Sequence, residues 1–154
     1  MADAMNEAAE LFDGTAPYYA AYRQGYDERM FAHVAECLGL DGTGWALDLG
    51  TGTGAVGLVG SVIAVDPQPS MLAEARVLAA ARGVTNVEWR LGEAAQLSAM
   101  GLPSLRLAAM GAAFHWMDRA AVARDLEALI DGGGAIVLAS GGAPGDVSRR
   151  RGWM

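Results

Sequence analysis

At 154 residues the chain is long enough for one domain with a real core and too short for two full ones. A composition of 53% hydrophobic and 19% charged residues, with mean hydropathy +0.21, excludes a disordered chain and suits a tightly packed α/β domain. The net charge of −7 and pI near 4.7 argue against a protein that tracks nucleic-acid phosphates, which needs a basic face.

The one basic cluster, Arg149-Arg150-Arg151, reads as a solvated tail. Cys37 is the sole cysteine, so no intramolecular disulfide and no cysteine metal cluster can form. It falls in an amphipathic helix and is expected to be a buried, inert thiol, and no metal site is expected. No run reaches the length of a membrane span, and the acidic, helical N-terminus is unlike a signal. A cytoplasmic protein is the expectation.

In chain order, Ala2–Phe12 is alanine-rich and helical, punctuated by Gly14 and Pro17. Tyr18 to Tyr26 then gathers four tyrosines and Arg23. Asp27 is placed to cap a helix in which Met30, Phe31, Val34 and Leu38 recur at helical spacing. Gly39 and the loop Asp41-Gly42-Thr43-Gly44 end it. Residues 1–40 read as an N-terminal helical lid and 41–154 as the core domain.

The core opens on Trp45–Leu49, a short apolar strand holding one carboxylate, Asp48, and running into Gly50-Thr51-Gly52-Thr53-Gly54. Such a turn brings bare backbone N–H groups up to a ligand with no Cβ in the way. A second strand, Ser61–Val65, ends at Asp66. Pro69 sits in the first turn of a helix that runs to a stop at Gly83. Asn86–Leu91 is a third strand leading into Gly92-Glu93-Ala94-Ala95, and Leu105–Met110 a fourth leading into Gly111 to Asp118. Asp118 caps a helix with Val122, Leu126, Leu129 and Ile130 on one face. Gly132-Gly133-Gly134 ends that helix, and Ala135–Ala139 is a fifth strand. Strands alternating with helices at this spacing call for a mainly parallel sheet covered on both faces.

Two ligands compete for the glycine turn. Gly52-Thr53-Gly54-Ala55-Val56-Gly57 matches the GxGxxG pattern of dinucleotide-binding folds. In those folds a carboxylate in the strand would repel the pyrophosphate, whereas Asp48 attracts a ligand with an ammonium or sulfonium centre. Asp66, at the end of the second strand, suits the hydroxyls of a ribose in either case, or a cap for the next helix.

Leu47 to Gly54, then Val62-Ile63-Ala64-Val65-Asp66 and Pro69-Ser70-Met71-Leu72-Ala73-Glu74-Ala75-Arg76, resemble the class I S-adenosylmethionine-dependent methyltransferases. Phe114-His115-Trp116-Met117-Asp118 and the tyrosine-rich stretch with Arg23 resemble a small-molecule branch of that superfamily. The resemblance spans roughly Leu11 to Ala139 and implies a Rossmann-like, doubly wound fold. It implies that Asp48, Gly50, Gly52 and Gly54 hold the methionine moiety of S-adenosylmethionine and Asp66 its ribose. Gln68, Met71, Glu93 and Ala94 would lie near the adenine, with Met110 and Gly111 beneath the sulfonium. Tyr19 and Arg23 would close over the site, Arg23 pairing the cofactor's carboxylate; ordinary helix packing is the other use for the tyrosines.

His115 follows a strand's carboxyl end and has the pKa range of a general base; a structural histidine between two aromatics is the alternative. Phe114 and Trp116 would build the wall of the substrate pocket. His33 falls on a helix away from every motif and is expected at the surface.

The resemblance implies methyl transfer to an oxygen or nitrogen of a small molecule, leaving S-adenosylhomocysteine, by a monomer or homodimer with no nucleic-acid or membrane partner. A nicotinamide-dependent oxidoreductase and a cofactor-binding module without activity are the rivals. Two departures stand out. The segment between Gly54 and Ser61 is too short for a sheet-crossing helix, and the family's last strand pair is missing after the fifth strand. Both suggest that residues are omitted, near 58–60 and from about 145 onward.

Overall fold

Trp45–Leu49 carries apolar side chains on both sides of its backbone, the pattern of a strand buried on both faces. The structure, a computed structural model, describes residues 28–49, 59–111 and 117–139. In it this run is β1, followed by β2 (Ser61–Asp66), β3 (Val87–Leu91), β4 (Leu105–Gly111) and β5 (Ile130–Ala139). They form one parallel sheet in the order β3-β2-β1-β4-β5. The chain steps outward from β1 to β3, then returns to lay β4 on the other side of β1. Open α/β sheets bind ligands in the crevice that such a reversal leaves at the carboxyl ends of the strands.

Helices cover both faces. Ala46, Val62 and Leu107 point to one face, where Leu38 of α1 (Glu28–Leu38) and the following Leu40 pack on them. Leu47, Ile63 and Ala108 point to the other and meet Leu97, Val122 and Leu126. Val122 and Leu126 belong to α3 (Arg119–Leu129); α2 (Pro69–Ala81) links β2 to β3. Each fully buried Leu, Ile or Val contributes about 1.5–3 kcal/mol by leaving water, so this two-sided core outweighs any local propensity. The helix starts follow the sequence closely. Pro69 occupies the first turn of α2, and the Asp118 carboxylate accepts the Ala121 N–H at 3.2 Å to cap α3.

Two expectations need correction. Cys37 is exposed, not buried, and its Sγ lies 3.4 Å from Nε2 of His33, which is exposed as expected. At about 100° per residue, Cys37 stands well off the stripe of Val34, Ala35 and Leu38 that faces the sheet. Second, β5 begins at Ile130 and contains the triple glycine that was expected to separate it from α3. Leu105 faces Ile130 while Leu107 faces Ala135, so the surplus residues of β5 form a bulge against β4. A Cβ on Gly134 would stand 2.8 Å from the Leu105 carbonyl oxygen and 2.9 Å from that of Arg106, so the bulge needs glycine there. A 3-10 helix, Ala94–Ala99, follows β3, an element for which the sequence carried no stated expectation.

The amino ends of the strands are knitted together by Arg106 of β4. Its Nη1 donates to Asp41 Oδ1 at 2.6 Å, and Nη2 to the Gly39 carbonyl oxygen at 3.4 Å. The Arg106 stem crosses Gly44, whose φ of +83° and close neighbour both favour glycine. The Thr43 hydroxyl and N–H also donate to Asp41 Oδ1, at 2.6 and 3.1 Å. These hydrogen bonds from Thr43, helped by the Arg106 charge, hold the Asp41 carboxyl below its ordinary pKa. At the far side of the sheet, Ile136 and Leu138 of β5 stay exposed.

Candidate functional site

Asp48 lies next to the carboxyl end of the central strand and is 1% exposed. In the sheet register it stands between Ala64 of β2 and Ala109 of β4. Paired residues of parallel strands share a face, so only two methyl groups flank the carboxylate in its row, where larger side chains would crowd it. Asp66, 6% exposed, lies on the same face one strand away and ends β2. Its Oδ1 accepts the Gln68 N–H at 2.8 Å, which fixes the carboxyl rotamer and turns the chain toward α2. The expected helix-entry role and a ligand role are therefore compatible, because a carboxylate has acceptor capacity beyond one hydrogen bond.

The other described candidates are distributed around these two acids. Gln68 precedes α2 and Met71 lies in its first turn, both half-buried. Glu93 is exposed at the head of the 3-10 helix, and Ala94 beside it is buried. The Gly92 N–H donates to the Asp66 carbonyl oxygen at 3.1 Å, joining the chain that leaves β3 to the end of β2. Met110, 1% exposed, sits on the opposite face of the sheet from Asp48, in the core under α3, and Gly111 closes β4 beside Ala139. Gly50, Gly52, Gly54, Tyr19, Arg23, Phe114, His115 and Trp116 lie outside the described residues, as do most of the short segment after Gly54 and the residues after 139.

Sequence reasoning missed Gln96 and Arg90. Gln96 Oε1 accepts the Glu93 N–H at 3.0 Å, and Arg90 Nη1 donates to the Met100 carbonyl oxygen at 2.8 Å. A signal for the first was present: an oxygen-bearing residue followed three positions later by glutamine is a helix-entry pattern. Nothing in the sequence marked the second.

Among the described residues no group of three or more His, Cys, Asp or Glu side chains could hold a metal ion, and no helix is long and apolar enough to cross a membrane. The donor set is two buried carboxylates, which suits ribose hydroxyls and a cationic group and is a poor match for a phosphate.

The sheet order alone fits several nucleotide-binding families, and the family comparison decides between them. The model described as a methyltransferase domain matches residues 46–134. The chain belongs to that methyltransferase family. None of the functionally curated proteins matches it. Among solved structures it is similar to an S-adenosylmethionine-dependent methyltransferase from Thiobacillus denitrificans bound to S-adenosylhomocysteine, with 22% identity and TM-score 0.62, over 78% of this chain and 52% of that one. It is also similar to an rRNA methylase from Streptococcus thermophilus, at 20% identity and TM-score 0.59, covering 76% and 71% of the two chains. A [4+2]-cyclase, SpnF, shares the fold at 19% identity and TM-score 0.68, over 87% of this chain and 59% of that one. The chain spans less than two thirds of the length of most of these structures. The fold is that of the S-adenosylmethionine-dependent methyltransferases.

Proposed function

We propose that the methyltransferase domain uses S-adenosylmethionine to methylate an oxygen or nitrogen of a small molecule, as a cytoplasmic monomer or homodimer. The observation that carries this reading is Asp48, buried one residue from the carboxyl end of the central strand on the same face as Asp66. A carboxylate at the ligand-binding edge of an open parallel sheet attracts a ligand ammonium. Asp48 with the glycine turn would hold the amino-acid end of the cofactor, Asp66 the ribose, and Gln68, Met71, Glu93 and Ala94 the base. When bound, the cofactor supplies an electrophilic methyl group at its sulfonium.

The chain's own part is to hold, align and desolvate. Proximity and orientation can account for about 7–11 kcal/mol of a barrier between two bound reactants. Gly111, with the backbone of Met110, would form the floor, Phe114 and Trp116 the acceptor wall, and the N-terminal segment that bears Tyr19 and Arg23 the lid. His115 would take the acceptor's proton. The prediction for His115→Ala is a loss in turnover of about a hundredfold, the lower range for one general base, with little change in cofactor affinity; full turnover would make it a wall residue.

The acidic balance of the chain favours a small acceptor over RNA, although the fold is shared with an rRNA methylase. The shared fold of a cyclase keeps a binding module without methyl transfer as the second reading. Titration calorimetry with S-adenosylmethionine and with NAD tests the cofactor: binding of the first alone is expected, and binding of NAD alone would overturn the proposal. A screen of amine and hydroxyl acceptors then separates the enzyme from the module.

A further inference from the structure

The connection from α1 to β1 has two firm ends and one soft link. At the helix end the Leu40 N–H donates to the Ala35 carbonyl oxygen at 2.9 Å, and the Gly39 N–H to that of Glu36 at 3.3 Å. Gly39 supplies the left-handed residue that this helix stop requires, with φ +60°. Leu40 is thereby fixed to the helix and packs with Leu38 on the sheet. At the strand end the Gly44 carbonyl oxygen accepts the Ser61 N–H at 3.1 Å, which anchors the entry to β1 on β2. Between the two stands Gly42, with φ +78° and no atom within 4 Å of the place a Cβ would take. A glycine in open space absorbs a large backbone rotation without steric cost.

The helix itself is lightly held. Among its described side chains Val34, Ala35 and Leu38 are half-buried and none is buried. The sheet residues Ala46, Val62 and Leu107 are at most 1% exposed. Elements with few buried apolar side chains open at lower free energy than the strands of a core. Arg106 reaches from β4 to this unit, donating from Nη2 to the Gly39 carbonyl oxygen at 3.4 Å and from Nη1 to Asp41 Oδ1 at 2.6 Å. Both acceptors lie on the helix side of Gly42; a longer contact, to the Thr43 hydroxyl at 3.4 Å, lies just beyond it.

We infer that α1 with Leu40 is a separately opening unit, hinged at Gly42 and latched by Arg106, which lifts from the sheet while the five strands stay paired. The opening uncovers the apolar face of Ala46, Val62 and Leu107. An ion pair at the surface is a weak tie, so the latch releases without global unfolding.

Native-state hydrogen exchange of the full chain at low denaturant concentrations tests this. In the unaltered protein the amides of α1 and Leu40 should exchange faster than those of β1, β2 and β4. Their rates should also depend less on denaturant, because the opening exposes less surface. Arg106→Ala should speed the α1 and Leu40 amides about fivefold, the upper end for a surface ion pair. Strand amides that exchange only on global unfolding should speed by the same factor, since the pair is lost there too. Asp41→Asn, which keeps the side chain's shape and removes its charge, should speed the same amides by less. Equal rates and denaturant slopes for α1 and the strands in the unaltered protein would overturn the separate opening. Faster strand amides with α1 unmoved in Arg106→Ala would show that the pair survives the opening, and would overturn the latch, as would no change in either.

Discussion

At the amino end of the sheet Asp41 is exposed and has Arg106 against it at 2.6 Å, with Thr43 donating to the same oxygen. At the carboxyl end Asp48 and Asp66 are buried on one face of the sheet, Asp48 in register with Ala64 and Ala109 and Asp66 with Leu91. The exposed acid is tied to the Arg106 cation of β4 and fastens the loop before β1. The buried acids stand where the strand order reverses, the place where such sheets take ligands. Stability and recognition are thus assigned to opposite ends of the same five strands, and substitutions at the two ends should have separable effects.

The largest loss of stability is expected at the amino end from Gly134→Ala. The added Cβ meets two backbone carbonyl oxygens that cannot step aside, and overpacking of this kind costs about 1–3 kcal/mol. Thermal unfolding should show it, while cofactor affinity of the folded fraction stays near wild type. A large change in affinity would break the division between the two ends.

Arg106→Ala should do less. It removes an ion pair at the surface and the stem lying over Gly44, and a fall in melting temperature of about 2–4 °C at most is expected, again without a change in affinity. The smallest effect is on pH dependence. The carboxyl of Asp41 is held below its ordinary pKa, so its contribution is present above that value and is lost as pH falls through the lower, folded value. Asp41→Asn should accordingly flatten the acid limb of the stability curve slightly; an unchanged limb would show that the pair contributes nothing measurable.

The legible parts of the fold were those fixed by local chemistry. Trp45–Leu49 reads directly as a strand because its apolar run ends in glycines, and Pro69 and Asp118 mark helix starts because each does one thing well there. Asp48 was legible as an anomaly, a charge in an otherwise apolar strand. What failed depended on neighbours distant in sequence. A triple glycine reads as a break, and only the bulge against Leu105 and Leu107 makes it part of a strand. The exposure of Cys37 depends on which stripe of α1 meets the sheet. Ala94–Ala99 has no apolar period, and its position comes from Arg90 and the Glu93–Gln96 pair instead.

The central claim is that the buried acid of the central strand answers a positive charge on the cofactor. Titration of S-adenosylmethionine into Asp48→Asn, beside Arg106→Ala, tests it most directly. The account predicts that Asp48→Asn binds about tenfold or more weakly, a loss of about 1.4 kcal/mol or more, with an unliganded melting temperature at or above wild type. Arg106→Ala should bind normally and melt earlier. Undiminished affinity in Asp48→Asn would contradict the account.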